Sequence, residues 1–165
     1  MISKLLRTQI METSNWRWKH FSPKEIACKH CGELPTNLDY DLLDRLELFR
    51  SLIGNKALKI SSGYRCRIHN LLVGGAVYSQ HKNLAIDLLL GEHDLKVLYT
   101  SALQAGFLGL GLGLTFIHLD MRRPVDGHIV PHKLTHWFYG KESKEKWLSI
   151  LSGQSSDLSS VQSEA

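Results

Sequence analysis

The sequence predicts one small α+β domain, on three observations. The chain has 165 residues, long enough to bury a core without disulfides or an obligatory partner. Residues 38–53 and 93–105 carry apolar side chains at helical spacing. Residues 57–62, 85–90 and 115–120 read as short strands. Helices and strands alternate irregularly, and spacing alone leaves the strand order open.

The elements follow in order. Ser22 is placed to cap a helix, with Pro23 at its first position and Glu25 at its third. A loop carrying Cys28-Lys29-His30-Cys31 comes next. From Leu38 to Ile53 the residues Leu42, Leu43, Leu46, Leu48, Phe49 and Leu52 form an apolar stripe, and Gly54 supplies the stop. Ala57 to Ser62 runs as a strand into a tight Ser61-Ser62-Gly63 loop that presents Tyr64-Arg65-Cys66. A short helix from His69 to Val73 ends at Gly74-Gly75, Ala85 to Leu90 is a buried strand, and Gly106 closes the helix from His93 to Ala105. The run GFLGLGLGL at 106–114 lacks the strand-to-helix context of a nucleotide loop. Its glycines are expected to permit close strand approach beside a site. Residues 1–20 are expected to form an extension, 21–152 the domain, and 153–165 a disordered Ser-rich tail.

Composition excludes more than it identifies. With 43% hydrophobic and 22% charged residues the chain has an average globular make-up. The net charge of +4 and pI near 9.0 lean toward an anionic partner, nucleic acid, membrane surface or wall polymer. The basic residues are spread along the chain and interleaved with acids, so a solvated face is expected, with no nucleic-acid or membrane partner and a monomeric state. No segment approaches the ~18 apolar residues of a membrane span. Thr8, Gln9, Glu12 and Asn15 interrupt any signal-peptide run after Lys4 and Arg7, so synthesis and initial residence in the cytoplasm are expected. Three cysteines do not make a secreted disulfide framework. The CxxC has the spacing of half a zinc ribbon, which Cys66 with His30 or His69 would complete; plain reduced thiols are the favoured reading.

The chemistry concentrates in a few of the nine histidines. His81 precedes Asp87 by six residues, and His118 opens a His-x-Asp run. A catalytic zinc site takes three imidazole or carboxylate ligands and leaves a position open, and His81, Asp87 and His118 supply such a set. Asp87 lies among apolar neighbours, where an unpaired carboxylate is costly, so a metal or an arginine must compensate it. A His-Asp pair serving structure alone is the competing reading. The triplet His128, His132 and His136 is helically spaced, but Pro131 would break that helix, leaving loop or rim histidines.

Taken together, SSGYRC at 61–66, HN at 69–70, GGA at 74–76, SQH at 79–81, AID at 85–87 and FIHLD at 116–120 resemble the M15 zinc peptidases. These are D-alanyl-D-alanine carboxypeptidases and L-alanyl-D-glutamate endopeptidases of bacteria and phages. The opening FSPKEIACKHCGE is similar to small members, so the resemblance runs from about Phe21 to Asp120. It implies a central antiparallel sheet carrying the metal site with flanking helices, as in M15 and hedgehog-like folds. By the same resemblance His81, Asp87 and His118 are zinc ligands, Arg65 steadies the oxyanion, and Ser79 lines the substrate site. Several branches carry a catalytic acid three residues before the last histidine, where this chain has Thr115. The branch it most resembles has His-x-Asp, which nominates Asp120, on the same strand face as His118 and addressing the same water.

One departure stands out. The family pattern spaces the first histidine and the aspartate seven residues apart across a glycine, whereas His81 and Asp87 are six apart with no glycine between them. A turn would absorb the deletion, with Asn83 replacing glycine in a left-handed conformation. The implied function is zinc-dependent cleavage of peptidoglycan stem peptides, reached after release into the wall, as by a phage lysin. The rivals are an inactive wall-binding or phage structural module of the same fold, and a small nucleic-acid-binding protein, for which no aromatic-basic stripe is present.

Overall fold

A computed structural model describes residues 16–153; the residues expected to form the Ser-rich tail from 154 onward, and most of the expected N-terminal extension, lie outside the described residues. The helices are α1 (Pro23–Ile26), α2 (Tyr40–Leu52), α3 (Arg67–Leu72), α4 (Leu95–Ala105) and α5 (Lys141–Leu151). The strands are β1 (Ile60–Ser62), β2 (Ile86–Leu89), β3 (Gly109–Leu112), β4 (Phe116–Asp120) and β5 (Thr135–Phe138). They form one sheet in the order β1-β2-β4-β3-β5. Every pairing is antiparallel except β3 with β5. The fold is therefore α+β as expected, with a mixed, mostly antiparallel sheet.

Local chemistry accounts for the element ends. Ser22 and Glu25 form the expected reciprocal capping box on α1. Asp39 caps α2 by accepting from the Leu42 amide, and Asp94 caps α4 through the Lys96 and Val97 amides. Gly106 ends α4 at φ 83°, a left-handed conformation that a Cβ disfavours.

Alternation along the strands divides the sheet into two faces. Ile86, Leu88, Ile117, Leu119, Leu110 and Leu112 point to the core, where Leu42, Leu46 and Phe49 of α2, Leu98 and Ala102 of α4 and Trp147 of α5 cover them. Burying each such side chain contributes roughly 1.5–3 kcal/mol. The α2 stripe is narrower than expected. Leu42, Leu43, Leu46 and Phe49 are buried, but Leu48 is 47% exposed and Leu52 is also exposed, because they lie past the edge of the contact face. Trp18, ahead of the expected domain start at Phe21, belongs to the core and bonds Asp44 through its indole N–H.

The glycine-rich run does not simply lead into a strand; Gly109–Leu112 is itself β3, an interior strand between β4 and β5. Its glycines lie opposite bulky groups on the second face. A Cβ on Gly109 would stand 2.3 Å from an Asp120 carboxylate oxygen. A Cβ on Gly111 would stand 2.6 Å from the Tyr139 ring and 2.9 Å from Trp137. This is the close approach beside a site that the sequence suggested.

Candidate metal centre

Sheet register assembles the centre. Asp87 pairs with His118, His118 with Gly111, and Gly111 with Trp137, so one row crosses β2, β4, β3 and β5. Two of its members are candidate ligands, and the glycine between His118 and Trp137 keeps the row open.

His81 arrives from outside the sheet, on a 3-10 turn over Gln80–Lys82. The turn is held from several sides. The Arg65 amide donates to the His81 carbonyl, and the Gln80 side chain bonds both backbone groups of Arg123. The Ser79 hydroxyl accepts from the His81 amide. A turn does bridge the six-residue spacing, but Asn83 is not left-handed: its φ is −96° and ψ −82°. The 3-10 turn and the residues after it span His81 to Asp87 with no positive φ among them.

Three donor atoms converge. His118 Nδ1 lies 2.9 Å from Asp87 Oδ1 and 3.2 Å from His81 Nε2, and His81 Nε2 lies 3.2 Å from Asp87 Oδ1. All three residues are buried. The far nitrogens are tied as well. His81 Nδ1 faces the Gly63 carbonyl at 2.7 Å, and a carbonyl only accepts, so that nitrogen carries the proton and Nε2 presents a lone pair. His118 Nε2 donates to Asp120 Oδ2 at 2.9 Å, which turns Nδ1 inward. Histidine metal ligands have this second set of partners, which fixes tautomer and ring orientation. The cluster is therefore a candidate metal site.

Electrostatics agree. Burial alone would raise the Asp87 carboxyl, yet the bond that His118 Nδ1 donates holds it well below the usual carboxylate range. Arg65 adds an ion pair to Asp87 Oδ2 at 2.9 Å, supplying the positive partner that the apolar setting required. Burial opposes a charge on His118, but Asp120 and Asp87 overcome it and raise the imidazole to about 9. Burial lowers His81.

Asp120 is on the same face as His118, as expected, and accepts a bond from its Nε2. Asp120 is 0% exposed, and its second oxygen accepts from the Arg122 amide at 2.6 Å. Thr115 lies outside the sheet in the β3–β4 turn, exposed. The His128, His132 and His136 triplet forms no cluster among the described residues: His128 stacks on Tyr78, His132 is exposed, and His136 points to Tyr99 on the core side.

The cluster floors an open cleft of about 460 Å³. Arg65, Ser79, Arg122, Trp137 and Tyr139 are among its walls. Sequence reasoning missed Arg122, Trp137 and Tyr139. The alternation Thr135-His136-Trp137-Phe138-Tyr139 was the available signal for a strand presenting both aromatics to one face. Arg122 sits over the Trp137 ring at 5.7 Å, and its Nε is buried without a hydrogen-bond partner.

No curated relative matches the chain. The family described as Peptidase M15 matches residues 19–120, more than half of the sequence. That span starts beside the buried Trp18 and ends at the Asp120 that orients His118, and it contains every residue of the three-donor cluster. The chain belongs to the Peptidase M15 family and is a metallopeptidase by that membership.

Proposed function

We propose that this protein is a zinc peptidase that hydrolyses peptide bonds in peptidoglycan stem peptides. The observation that carries the proposal is the convergence of His81 Nε2, Asp87 Oδ1 and His118 Nδ1, each far nitrogen being fixed by its own acceptor. Two imidazoles and one carboxylate form a donor set typical of catalytic zinc with an open position. Zinc bound there supplies Lewis acidity to the scissile carbonyl and to water at neutral pH.

The chain's own residues do the rest. Arg65 reaches the cluster edge and is placed to neutralise charge developing on the carbonyl oxygen. Asp120 is a positioning residue, holding His118 in the ligand tautomer. Asp87 and Asp120 are the only carboxylates lining the cleft among the described residues. Arg65 and Arg122 offset these two carboxylates, so a zinc ion held there would leave the cleft cationic, which suits stem peptides with their free carboxylates. Ser79 lines the wall beside His81.

The experiment is zinc content and muropeptide hydrolysis of the full chain beside His81→Ala and Asp87→Ala. The parent should cleave purified muropeptides, and both variants should lose this cluster's zinc together with hydrolysis. Product masses distinguish removal of a terminal D-amino acid from an internal cut. Hydrolysis retained in either variant, or a zinc-loaded parent inert on every muropeptide, would sink the proposal.

A further inference from the structure

A second cluster lies apart from the cleft. Cys28 ends the segment after α1 and is 1% exposed. Its amide donates to the Glu33 carbonyl and its carbonyl accepts from the Gly32 amide, which folds Cys28-Lys29-His30-Cys31 into a tight turn. Gly32 completes that turn at φ 73°. Cys66 is the N-cap of α3, across the chain from this turn.

The fold brings these pieces together. The sulfurs of Cys28, Cys31 and Cys66 lie within 4.8 Å of one another. The Cys66 amide points at Cys28 Sγ at 3.4 Å, and the His69 amide at Cys66 Sγ at 3.4 Å. His69 Nδ1 lies 3.3 Å from Cys28 Sγ. In sequence these are Cys-x-x-Cys and Cys-x-x-His, the two halves of a tetrahedral site. Amide N–H groups aimed at sulfur stabilise thiolates, and neighbouring thiolates repel unless a cation sits among them. Soft sulfur donors select zinc over magnesium or calcium.

We propose that Cys28, Cys31 and Cys66 hold a structural zinc ion, with His69 as the fourth donor. Binding replaces the thiol protons by the metal and involves no redox change. The site pins the turn after α1 to the loop that carries Arg65. That loop already packs tightly: the Tyr64 amide donates to the Ile26 carbonyl, and a Cβ on Gly63 would stand 2.3 Å from the same oxygen. Arg65 is one residue from Cys66, so this zinc buttresses the arginine from behind. The cysteines are then ligands rather than the plain thiols the sequence favoured.

The test uses the full chain, purified under reducing conditions without chelator, and the double variant His81→Ala/His118→Ala, which leaves every cysteine intact. The double variant should retain about one zinc per chain by mass spectrometry of the metal. Replacement by cobalt should give a thiolate-to-cobalt charge-transfer band in the near ultraviolet and tetrahedral bands in the visible. Adding Cys66→Ser should abolish both the metal and the band, and His69→Ala should weaken binding. A metal-free double variant whose three thiols react equally with and without chelator would overturn the proposal, as would a disulfide among them. The cobalt spectrum needs no cysteine variant, so misfolding of Cys66→Ser does not blunt the test. Failure here leaves the cleft's peptidase reading intact, and loss of cleft zinc alone leaves this one intact.

Discussion

Asp120 accepts a hydrogen bond from His118 Nε2 at 2.9 Å, and this contact decides which ring nitrogen faces Asp87 and His81. Asp120→Asn removes the charge while keeping the shape. Zinc affinity in the cleft should fall about 10- to 100-fold, measured by chelator competition. Unchanged affinity with a collapse of kcat would instead make Asp120 the proton acceptor.

The same cluster predicts a pH dependence with a definite sign. The folded His118 value of about 9 lies above its ordinary 6.5. Its contribution to the metal-free protein is therefore full below 6.5 and is lost as pH rises through about 9. His81, shifted down, is neutral in both states above 6.5 and adds nothing in that window. Asp87, also shifted down, contributes above the carboxylate range and fails only in acid. Zinc must displace the His118 proton, so its affinity should grow over the same interval. Thermal melts with and without chelator should show the metal-free Tm falling, and the zinc increment rising, between pH 6.5 and 9.

The glycines of β3 make room for the site. Gly109→Ala forces a methyl group against the Asp120 carboxylate. Overpacking of this kind costs about 1–3 kcal/mol. Denaturant midpoints should drop accordingly and cleft zinc should bind less tightly, because the displaced carboxylate no longer holds His118. A variant as stable and as metal-loaded as the parent would show that Asp120 has freedom the packing denies it.

Trp18 should matter to stability although it precedes the expected domain. It is 4% exposed, stacks on Tyr40 at 5.5 Å and donates to Asp44 at 2.8 Å. Trp18→Ala should cost about 3–5 kcal/mol in urea unfolding, in the range of buried large-to-small changes. A loss under ~0.5 kcal/mol, the scale of an ordinary surface substitution, would place Trp18 outside the cooperative unit.

Much of this molecule follows from its sequence by local rules. The capping box at Ser22 and Glu25 and the stop at Gly106 depend on contacts within a turn or two of chain, the strand around Asp87 shows itself as a short apolar run, and each stands where the residues put it. His81, Asp87 and His118 were also legible, as ligand types within short motifs. Tertiary structure alone decided the strand order, the parallel return of β5 and the row that joins Asp87, His118, Gly111 and Trp137. It also decided that Asp120 stands behind His118, and that Cys66 meets a turn 38 residues earlier. Periodicity says which side of a strand a residue occupies. Which residues stand beside it depends on register, and register is settled by the packing of the whole core.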